Sequence, residues 1–217
     1  MSNVHSAADR PARSQRQNPD RRDFLYIATA CFGVVGAAAA LWPFIDQMNP
    51  DASARASGGP IDVDVSKIAP GQQITVRWRG MPIFISDRPA AALQTLRNAD
   101  LLAELSDPDS AVNQQPPYAT NWSRSVNPRY AVLVGVCTHL GCIPVFRPET
   151  EPGNVWFGGY FCPCHGSKYD LAGRVFKHVP APYNLPVPPY HFTSETNLRI
   201  GENPPGQIFD FSSIRQV

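Results

Sequence analysis

Along the first quarter of the chain, polar and apolar residues separate into blocks. Residues 1–22 are polar and rich in arginine, whereas Leu25 to Ile45 is a run of 21 residues without a charged side chain. As a helix that run reaches about 31 Å at about 1.5 Å per residue, enough to cross a bilayer core of about 30 Å. Tyr26 and Trp42 stand near its ends, where amphipathic rings favour the membrane interface. The basic flank predicts a cytoplasmic N-terminus and places the remainder across the membrane. Ala37 to Ala40 offers the alternative of a cleavage site, but the run is longer than the roughly 7–15 residues of a signal core. Cys31, inside the run, reads as a small apolar residue without a redox role.

Asn49 to Pro60 (NPDASARASGGP) has no apolar period and reads as a linker, and as a hinge if the head carries electrons between two places. The pattern then changes to period two. Ile61, Val63 and Val65 alternate with aspartates, Ile74, Val76 and Trp78 follow the Pro70-Gly71 turn, and Pro82 to Ile85 adds a short run; all predict half-buried antiparallel strands. Pro89 to Leu105 differs, because Leu93, Leu96, Leu101, Leu102 and Leu105 fit one face of a helix that Pro89 can begin. From there to Arg129, Asn, Pro, Ser and Gln predict a long surface loop. Tyr130 to Val136 reads as a strand delivering Cys137, and Val155-Trp156-Phe157 leads through Gly158-Gly159 towards Cys162. Further strands are expected at Gly173 to Phe176, His191 to Ser194 and Leu198 to Ile200, with Pro180 to Pro189 wrapping the surface in turns.

Composition narrows the classes. With 19 Lys+Arg against 18 Asp+Glu the formal net charge is +1, which gives no basic face for nucleic acid. The 23 prolines and 43% hydrophobic content fit a globular chain with much turn. Of five cysteines, Cys31 lies in the apolar run and the other four form two close pairs, open to zinc, disulfides or an iron-sulfur site.

The chemistry concentrates in Cys137-Thr138-His139-Leu140-Gly141-Cys142 and Cys162-Pro163-Cys164-His165-Gly166-Ser167. Each box contributes a Cys and a His able to reach a common centre, a set that tetrahedral zinc also accepts. Zinc would leave one further cysteine in each box without a task, and an exported domain lets a disulfide persist. The adjacent Arg21 and Arg22 before Phe24-Leu25 resemble the twin-arginine export signal, whose pathway carries folded proteins.

On these two boxes, and on Pro180-Ala181-Pro182 as its proline loop, the whole chain resembles the Rieske iron-sulfur family, and within it the bacterial cytochrome bc1 members. The resemblance implies an all-β head of antiparallel strands with a small cluster-binding subdomain, preceded by one transmembrane helix and a flexible linker. Its boundaries fall at 1–24 for the leader, 25–45 for the anchor, 46–60 for the hinge and 61–217 for the head. It implies one [2Fe-2S] cluster, with Cys137 and Cys162 on one iron, His139 and His165 on the other, and a disulfide between Cys142 and Cys164. Ser167 and Tyr169 would donate to a bridging sulfide and to the Cys137 sulfur, while Leu140 and Pro180 to Pro182 would shield the cluster. Val179 departs from the glycine that many relatives carry before Pro-Ala-Pro.

Function follows as an implication of the same resemblance. The head would take an electron from ubiquinol or a related quinol at cytochrome b, with His165 as quinol contact and proton acceptor, and pass it to cytochrome c1. The expected setting is a dimeric bc1 complex in the bacterial inner membrane, the head periplasmic. The alternatives are the Rieske subunit of a periplasmic oxidase such as arsenite oxidase, against which residues 86–129 form a sizeable insertion, and an anchored zinc-binding interaction module.

Overall fold

The structure is a computed structural model that describes residues 20–49, 58–150 and 156–215. The chain divides into two compact units, Met1–Asp51 and Ala52–Val217. In the first, helix α1 (Arg21–Asp46) has Asp20 as N-cap and Asp23 answering it in a capping box, so the helix begins ahead of the apolar run and takes in Arg21 and Arg22. At 26 residues it spans about 39 Å. It is long and apolar enough to cross a membrane, and none of its side chains is buried. Most of the expected hinge lies outside the described residues.

The second unit holds three antiparallel sheets of three strands among the described residues. Strands β1 (Ile61–Asp64), β8 (Tyr190–Phe192) and β9 (Asn197–Ile200) form one, with Ile61 opposite Ile200 and Val63 opposite Leu198. Strands β2 (Gln73–Trp78), β3 (Met81–Asp87) and β4 (Tyr130–Val134) form the next. A two-residue turn joins β2 to β3, with Arg79 at φ 50° and Gly80 at φ 77° in the left-handed region that suits a tight hairpin. The third sheet, β5 (Val145–Arg147), β6 (Gly159–Phe161) and β7 (Lys168–Tyr169), carries the second cysteine box between β6 and β7, and the first box lies on the connection from β4 into β5.

The main core joins Ile83, Ile85, Val132, Val134, Tyr160, Tyr169, Leu185 and Tyr190 across these sheets. A second cluster gathers Leu96, Leu101, Leu105, Trp156, Leu171 and Phe176. It explains why the expected single helix over 89–105 is two: α2 (Ala90–Thr95) and α3 (Ala99–Glu104). Leu96 and Leu101, five positions apart, point about 140° from each other on a continuous helix. A break at Asn98, whose side chain caps the Asp100 N–H, lets both enter one core.

Other expectations are corrected. The segment up to Arg129 is not a surface loop: Ser110, Gln114, Gln115, Ser123, Arg124 and Ser125 are all buried. Most of its buried polar groups are paired inside the fold, as where Gln115 donates to the Ser110 and Val112 carbonyls. Nor does Pro180 to Pro189 stay outside, since Asn184 to Pro189 is buried and the Pro186 carbonyl accepts the Val134 N–H at 2.7 Å. Of the further strands expected, Gly173 to Phe176 supplies isolated bridges, from Val175 to Tyr169 and from Phe176 to Leu105.

Candidate metal centre

The two boxes fold into loops with the same hydrogen-bond frame. In the first, the Cys137 N–H donates to the Cys142 carbonyl at 2.7 Å and the Gly141 N–H to the Cys137 carbonyl at 3.0 Å. In the second, the Cys162 N–H donates to the Ser167 carbonyl at 2.8 Å and the Gly166 N–H to the Cys162 carbonyl at 2.9 Å. Gly141 and Gly166, at φ 83° and 79°, occupy the same left-handed corner, which a residue with a Cβ enters at a cost. This equivalence superposes Cys142 on Ser167, His139 on Cys164 and Leu140 on His165. A disulfide joins Cys142 of one loop to Cys164 of the other, with Cα atoms 6.7 Å apart.

Cys137 and Cys162 lie beneath the loops as free, buried thiols. They contact one another, and the Cys162 sulfur also accepts the N–H groups of Cys164 and His165. Burial pushes the Cys162 thiol up, with neighbouring Cys137 adding to the shift and the two N–H groups opposing it. The imidazoles lie on the outer side: His165 is exposed and His139 half-buried, their ring centroids 4.7 Å apart and the planes at 88°. Leu140 is 72% exposed, with Ile143 in the same connection and Val145 at the start of β5 also exposed.

The sulfurs of Cys142, Cys162 and Cys164 all lie within 4.8 Å of one another. Two of these form the disulfide, so that trio offers one thiolate only. The candidate donors for a metal group are the buried thiols of Cys137 and Cys162 with the imidazoles of His139 and His165. This set pairs thiolates on the dry side with imidazoles towards solvent, which suits a binuclear group with two kinds of ligand end.

Around this set, the Tyr169 hydroxyl lies 3.2 Å from the Cys137 sulfur, accepts the Thr138 N–H at 3.1 Å and stands 3.2 Å from Thr138 Oγ1. Burial holds the Tyr169 phenol well above its ordinary range, so it keeps its proton. Ser167 Oγ accepts the Ala181 N–H at 3.1 Å, which leaves the hydroxyl proton to be donated and ties the proline loop to the second box. Ala181 is buried between exposed Pro180 and Pro182, and Val179 is half-buried against both hydrophobic clusters, so the residue in the usual glycine position has apolar neighbours.

Two further residues shape the site. Thr138 donates its hydroxyl to the Tyr183 carbonyl at 2.7 Å and so holds the first box from below. Asp170 is buried and paired with Arg174 at 2.7 Å, while accepting the N–H groups of Ala172 and Arg174. The partner's place four residues on, at i,i+4, was the available cue. Of the remaining histidines, His178 is exposed at φ 56°, His191 lies on β8 with Nδ1 3.4 Å from the Glu202 carbonyl, and His5 is outside the described residues.

Comparison with known proteins follows the same division. Residues 11–51 match the family "Ubiquitinol-cytochrome C reductase Fe-S subunit TAT signal", and residues 102–190 match the "Rieske [2Fe-2S] domain". The chain is 48% identical over 196 residues to the "Ubiquinol-cytochrome c reductase iron-sulfur subunit" of Allochromatium vinosum, covering 89% of this chain and 94% of the relative. It is 50% identical over 188 residues to the protein of that name from Bradyrhizobium diazoefficiens, covering 87% and 98%. A solved structure described as "Hyperthermophilic respiratory Complex III" aligns at 28% identity and TM-score 0.45, over 80% of this chain and 98% of that one.

Proposed function

The chain belongs to the family of ubiquinol–cytochrome c reductase iron-sulfur subunits, and from that premise we propose that it is the electron-transfer subunit of a membrane quinol–cytochrome c reductase. The observation that carries this reading is the pair of loops with one hydrogen-bond frame, which sets two dry thiols behind two outward imidazoles. Cys137 and Cys162 hold one iron of a [2Fe-2S] cluster and His139 and His165 hold the other. When bound, the cluster supplies a one-electron acceptor, at about −150 to +300 mV for mixed histidine–cysteine ligation against about −400 mV for plant-type all-cysteine clusters.

The residues around it divide the remaining work. Tyr169 and Ser167 present hydroxyl protons to the sulfurs, and the Cys142–Cys164 disulfide keeps the loops in register. His165, the more exposed imidazole, is the quinol contact, and its ring nitrogen remote from the metal receives a proton. Leu140, with Ile143 and Val145, gives this tip an apolar margin that excludes water when it docks. Pro180 to Pro182 cover another side.

The quinol binds at cytochrome b, and the head then delivers its electron to cytochrome c1 within a dimeric bc1 complex. Arg21 and Arg22 direct export, and residues 25–45 anchor the chain in the bacterial inner membrane with the N-terminus cytoplasmic and the head 61–217 periplasmic. The oxidase-subunit alternative gains nothing from relatives that carry the reductase name.

The test is purification of the intact chain from detergent-solubilised membranes. Co-purification with a dihaem cytochrome b and a reduced-state electron paramagnetic resonance spectrum of a histidine-ligated cluster are expected, with quinol–cytochrome c reductase activity lost in His165→Leu. A chain that carries zinc, or that purifies with a different oxidase, overturns the reading.

A further inference from the structure

Two arginines inside the head have no carboxylate partner. Arg88 and Arg124 are 2% and 0% exposed, and neither forms an ion pair among the described residues. Arg88 spends its guanidinium on the carbonyls of Pro128, Ser123, Leu171 and Tyr130 and on the Ser125 hydroxyl. Arg124 donates to the Ala172 carbonyl at 3.0 Å and to Gln115 Oε1 at 2.9 Å, while its Nε has no partner. Buried arginine is ordinarily paired, because an uncompensated charge in a dry interior is costly. Two carboxylates act on them without pairing: Asp170, already engaged by Arg174, and Asp107, which faces Arg124 and accepts the Ala111 and Val112 N–H groups.

Their placement is specific. Leu171 and Ala172, whose carbonyls the two guanidiniums hold, follow Tyr169 by two and three residues in the turn that closes the second box. The same turn carries the paired Asp170 and Arg174, and its Tyr169 end touches the Cys137 sulfur at 3.2 Å. We propose that the buried positive charge of Arg88 and Arg124, fixed against the turn that follows the second box, biases the metal centre towards its reduced state. The inference rests on the cluster reading above.

The physical reasons are charge and dielectric. Burial pushes Arg88 down to about 10 and Arg124 to about 9, so both remain cationic at neutral pH. Fixed charges closed to solvent are little screened by salt, and they act on any added negative charge nearby. Gaining an electron makes the centre more negative, and the two cations favour that state. If they served only to stitch the polar loop to the turn, their hydrogen bonds would matter and their charge would not.

Charge and stitching separate in paired variants. Arg124→Lys keeps the charge with a poorer fit, and Arg124→Gln removes it; Arg88→Lys and Arg88→Gln form a second pair. Each is made in the full chain, and the centre's midpoint potential is read by redox titration with electron paramagnetic resonance in isolated membranes. Each Gln variant should shift the reduction equilibrium at least threefold towards the oxidised form, about 28 mV lower at ~59 mV per tenfold. Each Lys variant should recover most of that shift, and the Lys–Gln difference should survive added salt. Gln variants at the wild-type potential with full signal overturn the proposal, as do Lys and Gln shifts of equal size. Loss of the signal in all four variants also overturns it, since the arginines are then structural alone. Failure of the underlying reading looks different, because the wild type itself would lack the histidine-ligated signal.

Discussion

The Tyr169 hydroxyl sits 3.2 Å from the Cys137 sulfur while it accepts the Thr138 N–H at 3.1 Å. That N–H occupies a lone pair, so the hydroxyl's single proton points to the other side, where sulfur is an acceptor. A thiolate bound to iron accepts more strongly in the reduced, more negative state. Tyr169→Phe keeps the ring and removes the donor. Loss of a charge-assisted hydrogen bond of about 1.5 kcal/mol lowers the midpoint potential by roughly 65 mV. Redox titration alongside iron analysis checks this, and an unchanged potential at full iron content would remove the donor role.

Thr138 sharpens the same relationship. Its Oγ1 is also 3.2 Å from the Tyr169 hydroxyl, and its own proton is committed to the Tyr183 carbonyl, so towards Tyr169 it can only accept. Threonine and the Cys137 sulfur therefore compete for one proton. Thr138→Val removes the competitor at similar volume and should raise the potential, by about 20–40 mV for a gain of roughly 0.5–1 kcal/mol at sulfur. The opposite signs expected for Tyr169→Phe and Thr138→Val make the pair diagnostic. A fall in both would mean that packing, not proton direction, controls the potential.

Ser167 has two roles that separate experimentally. Its oxygen accepts the buried Ala181 N–H, and its proton remains for the metal centre. Ser167→Ala leaves that N–H unsatisfied, at about 1–3 kcal/mol, and also removes the donor. Thermal loss of the reduced-state signal should therefore begin at lower temperature, and the potential should fall. In Tyr169→Phe the proline loop keeps its contact, so the thermal effect should be smaller. Equal thermal loss in both variants would argue against the Ala181 contact as the cause.

How much of this was legible depended on how local each cause is. The two boxes could be read because ligands, glycines and extra cysteines lie within six residues of one another, and their shared loop frame is built from backbone bonds inside each box. The alternating strands β1 and β2 were visible for the same reason. Strands β5 and β7, of three and two residues, are too short to show a period. The sequence pattern over 89–105 does not separate one helix from two, because Leu93, Leu96 and Leu101 satisfy a loose face whether or not Asn98 breaks it. The polar composition of the segment up to Arg129 ordinarily marks solvent, although Ser110, Gln114, Gln115, Ser123, Arg124 and Ser125 are buried. Its burial depends on Arg88 reaching residues 35 to 83 positions away, which no window on the chain contains.

Asp170 should show the balance of buried charge most directly. Its carboxylate is fully buried, accepts Arg174 at 2.7 Å and two backbone N–H groups, and is the anion closest in sequence to the carbonyls held by Arg88 and Arg124. Asp170→Asn preserves the shape but leaves Arg174 as a buried cation without its counter-charge. Breaking such a pair from one side costs about 3–5 kcal/mol, a large part of the stability of an ordinary domain. The variant should therefore lose its metal centre at markedly lower temperature than wild type. Asp170→Asn combined with Arg174→Met removes both charges and should recover part of that loss, because a neutral packed pair costs less than a lone charge. Centres that survive in the single variant should also have a raised potential, since removing a negative charge has the sign opposite to removing Arg88 or Arg124. Heating series and redox titrations on the same membranes separate the two effects. A single variant as stable as wild type would mean that solvent reaches Arg174, and a lowered potential would mean that Asp170 acts through the turn's geometry instead of its charge.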